Sequence, residues 1–421
     1  MKNNIDVSTI GTRPLKILIC GGGIAGPALA YWLARTGHEV VVVERFQTLR
    51  ASGAQIDLRG QGIEAIKRMG LYDIIRSKRV DEPGTSYVNA KGKVVGTLMA
   101  NTSGKGAQSL TSEYEIMRGD LVRILYDASK DNVKYLFGIT IKRFEQDEKQ
   151  VIAYFSDGSS DTFDLLVGAD GQGSSTRKAI LPSEAPDPYL HLGLDMAYFF
   201  IPRIETDTNF RYTYSSPGGR MIMRRSHNAT DTQVYFVLRD DEHETSAIFR
   251  ASLDEQKKFW TQQFSGAGWQ TERFLEGMQT SENFYNQEVV QVRLDTWSKG
   301  RVVLLGDAAY CPSPFSGMGT SAALMGAYVL AGEINRNPDN LSQAFANYDR
   351  VLRPVIDEVQ DVNPSLLRLG IPKSRFGIQV LLSIGWLAGF LHLPELMARF
   401  SKEDRDGGWK LPAYPELKPE M

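Results

Sequence analysis

Cysteine is nearly absent from this chain, with only Cys20 and Cys311 among 421 residues. Two thiols exclude a disulfide framework and fit a reducing compartment. The sequence has no C-x-x-C pair, and its five histidines are not clustered, so nothing points to a metal site. An excess of charge is missing as well. The formal net charge of −2 sets up no field that would steer nucleic acid or an anionic membrane, and no nucleic-acid partner is expected. Long hydrophobic runs are also lacking. Residues 1–12 are polar, read as a short frayed tail rather than a secretory signal. The longest apolar stretch, 378–396, is broken by Ser383, Gly385, Gly389, His392 and Pro394. It falls short of the roughly 20 mostly apolar residues that a membrane span needs. Helices packed on the protein body are expected there, with a weak membrane or dimer contact as the alternative. A cytoplasmic, at most peripherally membrane-bound protein follows.

What is present is the composition of a globular enzyme, 42% hydrophobic and 23% charged. The length suits two domains, or one domain with another inserted. Near the start, a short apolar run over 15–20 leads into Gly21, Gly23 and Gly26, spaced G-x-G-x-x-G. A helical pattern over 27–35 follows, with Pro27 suited to its first turn and Gly37 to its stop. Residues 40–43 are a β-branched run of the kind buried on both faces of a parallel sheet, ending at Glu44. Strand, turn, helix and strand within about 30 residues make a βαβ unit. Gly21 permits the tight turn, Gly23 lets the backbone approach a pyrophosphate, and Gly26 lets the helix pack on the strand. Ile24 and Ala25 complete the candidate cofactor turn, whose N–H groups face the phosphates. The Glu44 carboxylate is placed to accept from ribose hydroxyls and would repel a 2′-phosphate, which favours FAD or NAD at this position.

Later motifs choose between the two. Residues 170–177, DGQGSSTR, fit D-G-x-x-S-x-x-R after the apolar run 165–167. Gly306, Asp307, Ala308 and Ala309, followed by Pro314, Gly317, Met318 and Gly319, fit a second flavin motif after the buried run 302–305. Asp307 can hold ribityl hydroxyls, and the nearly side-chain-free 314–320 segment can bring N–H groups to a flavin ring. Asp170 also has a local use, capping the turn after its strand. Together with the glycine turn, these segments resemble the single-component aromatic hydroxylases of the p-hydroxybenzoate hydroxylase type. The stretch 53–70 resembles the tetracycline-inactivating monooxygenases among them. The resemblance covers about residues 15–335. It implies that Asp170 contacts cofactor, that Arg118 contacts the flavin chain, that Asp57 lies near the flavin and that Arg50 serves the nicotinamide cofactor. Arg45, beside the ribose acid, is a further cofactor candidate. The family often has histidine after Gly-Asp-Ala-Ala, where this chain has Tyr310, which puts a proton relay at that position in doubt.

The fold expected is α/β: a Rossmann-type FAD-binding domain (14–185 and 292–335), an inserted antiparallel β-sheet substrate domain (186–291) and a C-terminal helical region (336–421). Short runs at 198–201, 210–214, 221–224 and 233–238, separated by turn residues, supply the inserted sheet. By resemblance the protein is an FAD-dependent monooxygenase. NAD(P)H reduces FAD, molecular oxygen adds at flavin C4a, and the hydroperoxide transfers oxygen to an aromatic or polyketide-like small molecule. The cofactor carries the chemistry, so no catalytic side chain is assigned. Tyr198, Tyr212, Tyr214, Met221, Met223, Phe236 and Phe315 are candidate substrate residues. Competing readings are a dehydrogenase or reductase of the same fold, and a non-catalytic flavoprotein that reports redox state to a partner.

Overall fold

The computed structural model describes residues 13–50, 53–100, 114–242, 247–390 and 408–417. The expected N-terminal tail and positions 391–396 of the apolar stretch lie outside them. Four runs with no polar side to offer water, 17–19, 40–43, 165–167 and 302–304, are all buried. Such strands are stable only when layers cover both of their faces. They sit together in a six-stranded sheet ordered Ser298–Lys299, Val302–Leu304, Leu165–Gly168, Lys16–Cys20, Glu39–Glu44, Lys134–Phe137. All its pairings are parallel except that of the short edge strand Ser298–Lys299. An antiparallel meander, Ile141–Gln146, Val151–Phe155 and Ser160–Phe163, connects the Lys134 edge back to Leu165. The helix Ala25–Arg35, which opens at the glycine turn, packs against the helix Gly319–Arg336, which packs in turn on Leu341–Val359. The first helix begins at Ala25 rather than at Pro27, so Gly26 lies within its first turn.

A second sheet of seven strands is ordered Tyr285–Val292, Tyr189–Pro202, Asp231–Arg239, Arg220–Ser226, Arg211–Ser216, Gly84–Val88, Val94–Met99. Three of the expected runs are present in it as longer strands, and the fourth, 210–214, is shifted to Arg211–Ser216. The last two strands differ from expectation, because they come from residues 84–99, outside the segment 186–291. Gly84–Val88 adds to the edge in parallel, with Thr85 opposite Arg211. A two-stranded ribbon, Gln55–Asp57 with Glu115–Met117, lies between the sheets and sets Asp57 directly opposite Glu115.

The two faces of the large sheet are covered differently. On one, Ala197, Phe199, Tyr214, Ile222, Val234 and Phe236 pack beneath the helices Leu253–Phe264 and Thr271–Thr280. Phe236 stacks on Phe264 with ring centroids 4.3 Å apart. On the other, Leu194, Met221 and Val237 pack with Met196, Met223 and Phe315. In the apolar C-terminal stretch, the helix Arg375–Phe390 packs on the strands Val94–Met99 and Arg211–Ser216. Among the described residues no helix is long and apolar enough to cross a membrane.

Candidate active site

The turn at Gly21 is held by its N–H to Val43 O at 2.9 Å. At Gly26 a Cβ would lie 2.0 Å from Gly21 O, and at Gly21 (φ +117°) it would lie 2.3 Å from Ala169 O. Neither atom can be accommodated, so the turn admits only glycine at these positions. Glu44 fixes the same turn. Its Oε2 accepts from Gly22 N at 2.8 Å and its Oε1 from Phe46 N at 3.0 Å. Each oxygen keeps a lone pair for a ribose hydroxyl.

The Gly-Asp segment closes on this turn from the other side. A Cβ at Gly306 would meet Ala25 Cβ at 3.0 Å. Asp307 is exposed to solvent yet densely surrounded by protein, a combination that marks the wall of a deep cleft. That crowding raises its carboxyl above the ordinary value, opposed by the charge of Arg118. Arg118 stands between the segments. Its Nη2 is 3.5 Å from where a Gly23 Cβ would be, and Nη1 donates to Arg50 O at 3.2 Å. Desolvation, with Arg50 nearby, lowers its guanidinium pKa, while Asp307 and Glu44 act against this. The 18-residue helix Gly319–Arg336 opens beside Asp307 with no side-chain cap at Met318. Its first N–H groups are therefore left for an anionic or hydrogen-bonding ligand. A cleft that rejects any side chain at the pyrophosphate turn, with an open acid and an uncapped helix end opposite, fits FAD. Glu44 and the glycines would hold its adenosine diphosphate half, Asp307 and Arg118 its ribityl chain, and the 314–319 loop its ring.

Other expected residues fall as follows. Asp57 Oδ2 accepts from Arg59 Nη2 at 2.8 Å and lies 3.2 Å from where a Gly317 Cβ would be, directly under the loop. Arg50 lies over the rings of Phe46 and Tyr285, at 5.0 and 5.7 Å. It lines a cleft of about 730 Å³ together with Gly53, Met117, Phe200 and His227. Arg45 is exposed and rests over Phe46 at 5.0 Å. Both oxygens of Asp170 are taken by its own turn, accepting from Ser174 Oγ, Thr176 N and Thr176 Oγ1. Tyr310 does not face the cleft. It is buried against Trp297 and receives a hydrogen bond from Tyr348 Oη at 3.0 Å.

The substrate set divides. Met221, Met223 and Phe315 share one cluster, and Tyr198 lies on the same sheet face, donating to Gly53 O at 3.0 Å. Tyr212, Tyr214 and Phe236 are a correction. They point to the opposite face, where Phe236 is fully buried, Tyr214 donates to Ala267 O at 2.6 Å, and Tyr212 packs beside Trp269. The two-residue period of a strand puts their side chains into the helix-covered core.

Sequence reasoning missed two groups. Arg177, fully buried, donates to Ala308 O at 3.0 Å, Gln172 O at 2.5 Å and Tyr189 Oη at 2.7 Å, pinning the two later motifs together. Its place in the D-G-x-x-S-x-x-R motif was a signal for such a role. The second group is a buried charge cluster of Glu82, Glu115 and Arg225, with Gln55 and Gln233 beside it. Its members are scattered along the chain and form no motif.

This fold and cleft define a flavin nucleotide-binding protein with an appended β-sheet domain. The FAD binding domain family matches residues 14–337. A flavin-dependent monooxygenase of a Phoma species is 40% identical over 427 residues, covering 96% of this chain and 99% of that one. A FAD-dependent monooxygenase of Sarocladium schorii is 38% identical, with the same coverage. Among solved structures, the tetracycline destructase Tet(51) is 31% identical with a TM-score of 0.78, covering 96% of this chain and 100% of that one. The HpxO protein of Klebsiella pneumoniae, complexed with FAD and uric acid, shares the fold at 20% identity and TM-score 0.70, covering 91% of this chain and 96% of that one. The chain belongs to the FAD-binding monooxygenase family. It is an FAD-dependent oxidoreductase that takes molecular oxygen and a small-molecule substrate.

Proposed function

We propose that the protein uses NAD(P)H and molecular oxygen to hydroxylate or otherwise oxygenate an aromatic or polyketide-like molecule held between the large sheet and the 314–319 loop. The observation that carries this reading is the cluster of Met221, Met223 and Phe315, which joins the sheet to that loop with Tyr198 on the same face. Flexible thioethers and aromatic rings fit a bulky, flat, apolar ligand. FAD, when bound, supplies the redox and oxygen-activating chemistry. The chain supplies the rest. Asp307 and Arg118 orient the cofactor, the uncapped helix end at Gly319 favours negative charge near the ring, and the apolar cluster keeps water from the reacting atoms. Arg50, on the wall of the 730 Å³ cleft, is our candidate contact for the nicotinamide cofactor. The similarity to a tetracycline destructase along its whole length supports a polycyclic substrate.

The test is isotopic. Enzyme supplied with NAD(P)H, ¹⁸O₂ and a panel of phenols, quinones and polyketides is expected to yield a product heavier by one labelled oxygen. Product labelled only from water, or NAD(P)H oxidation with no oxygenated product, would overturn the reading in favour of a dehydrogenase.

A further inference from the structure

The ribbon between the sheets holds a feature that flavin binding does not require. Asp57 and Glu115 face each other across an antiparallel pair, where side chains on one face lie in contact range. Asp57 Oδ2 is committed to Arg59. Asp57 Oδ1 is buried with no donor among the described residues. Glu115, itself buried, presents Oε2 to Gln55 Nε2 and to Arg225 Nη2. That arginine is already neutralised, because its Nε and Nη2 grip Glu82 at 2.7 and 2.6 Å. Arg211 and Tyr235 are the next titratable groups around Glu115, and Arg59 flanks Asp57 on its far side. Three carboxylates thus converge here: Arg59 holds Asp57, Arg225 is shared by Glu82 and Glu115, Arg211 lies beside the last two, and the register sets Asp57 directly opposite Glu115. A like charge directly opposite disfavours ionisation of its neighbour. A buried acceptor lacking a donor is satisfied if its neighbour carries a proton.

We propose that Asp57 and Glu115 hold one proton between them, with Glu115 donating to Asp57 Oδ1, and that this pair is the proton store of the active site. Glu115 is a positioning residue that acts through Asp57. The proton moves in two steps: the Glu115 O–H bond breaks as an O–H bond forms on Asp57 Oδ1, and that bond then breaks as the proton forms an O–H or N–H bond on a basic atom of the ligand at the 314–319 loop, leaving both carboxylates ionised. No electrons are transferred, and the pair regains its proton from solvent. Burial, together with Asp57 and Glu82, pushes the Glu115 carboxyl up to about 8, with Arg225 acting against it. Glu115 therefore keeps its proton at neutral pH. The role rests on the reading of the 314–319 loop as the seat of the flavin ring.

The test uses the full-length flavin-loaded protein. Infrared difference spectra between pH 6 and pH 9.5, with ¹³C-labelled glutamate, are expected to show a protonated carboxyl band that disappears at the alkaline end. Glu115→Gln should lack the band while keeping full flavin content, because its amide can still donate to Asp57 and accept from Arg225. Its turnover should drop at least about tenfold, and the alkaline limb of kcat/KM near pH 8 should disappear. No protonated glutamate at neutral pH, or a Glu115→Gln variant that retains the wild-type alkaline limb, would overturn the proposal. Protein that binds no flavin would instead count against the functional reading, and its infrared band would still decide the state of the pair.

Discussion

The two faces of the seven-stranded sheet are both buried, yet they are built from different chemistry. One is closed by two helices over an aromatic core, with Phe236 stacked on Phe264 over Trp260 and a buried ion pair, Arg224 with Asp207 at 2.6 Å, beside it. The other carries Arg225, Gln233, Tyr235 and Tyr198 beside the methionine cluster. Burying a charge is costly unless it is paired, whereas an apolar core has no such cost. On the helix-covered face the buried carboxylate, Asp207, is held by two arginines, Arg224 and Arg273, whereas the face turned toward the flavin cleft gathers two carboxylates, Glu82 and Glu115, on Arg225. The contrast separates a stability surface from a working surface within single strands, at alternate residues.

Substitution on each face should separate the two roles. The largest stability loss is expected from Phe236→Ala, about 3–5 kcal/mol by denaturant unfolding, with flavin content and turnover per folded molecule unchanged. Met223→Ala, one strand away and on the opposite face, should cost less than about 2 kcal/mol but raise KM for the oxygenated substrate. Similar losses of stability and similar KM values in both variants would erase the distinction. A third test sharpens it through pH. In an unfolded chain a glutamate ionises near about 4.3, while in the fold Glu115 is pushed up to about 8. Between those values the folded state binds more protons than the unfolded one, so this group's contribution to stability declines as pH rises. Glu115→Gln cannot ionise. Its Tm relative to wild type should therefore rise between pH 5 and pH 8, and a pH-independent difference would argue that Glu115 is ordinarily charged.

The cofactor end of the fold was legible because it is written in residue-specific geometry. A Cβ at Gly21 or Gly26 collides with backbone, so the sequence has to show glycine there. The parallel strands were legible too, as runs with no polar side. The substrate side was only partly so. Alternation predicts that Ile222 and Met223 point in opposite directions, but it does not say which side is covered by helices. Tyr212, Tyr214 and Phe236 were therefore placed with Met221 and Met223. The strands at 84–99 were missed because they join their sheet only through long-range edge pairing, Thr85 to Arg211. The charged cluster left no local trace, since Glu82 and Arg225 are 143 residues apart.

The central claim is that the glycine turn and the Gly-Asp segment grip one FAD from opposite ends. Asp307→Ala removes an acceptor on the cleft wall and leaves the hydroxyl donors it would meet unpaired. The decisive measurement is flavin content by visible absorbance after purification and reloading with excess FAD, read beside the wild type. The expected result is a yellow wild type and a folded variant that emerges nearly colourless; full flavin occupancy in the variant would contradict the placement of the cofactor.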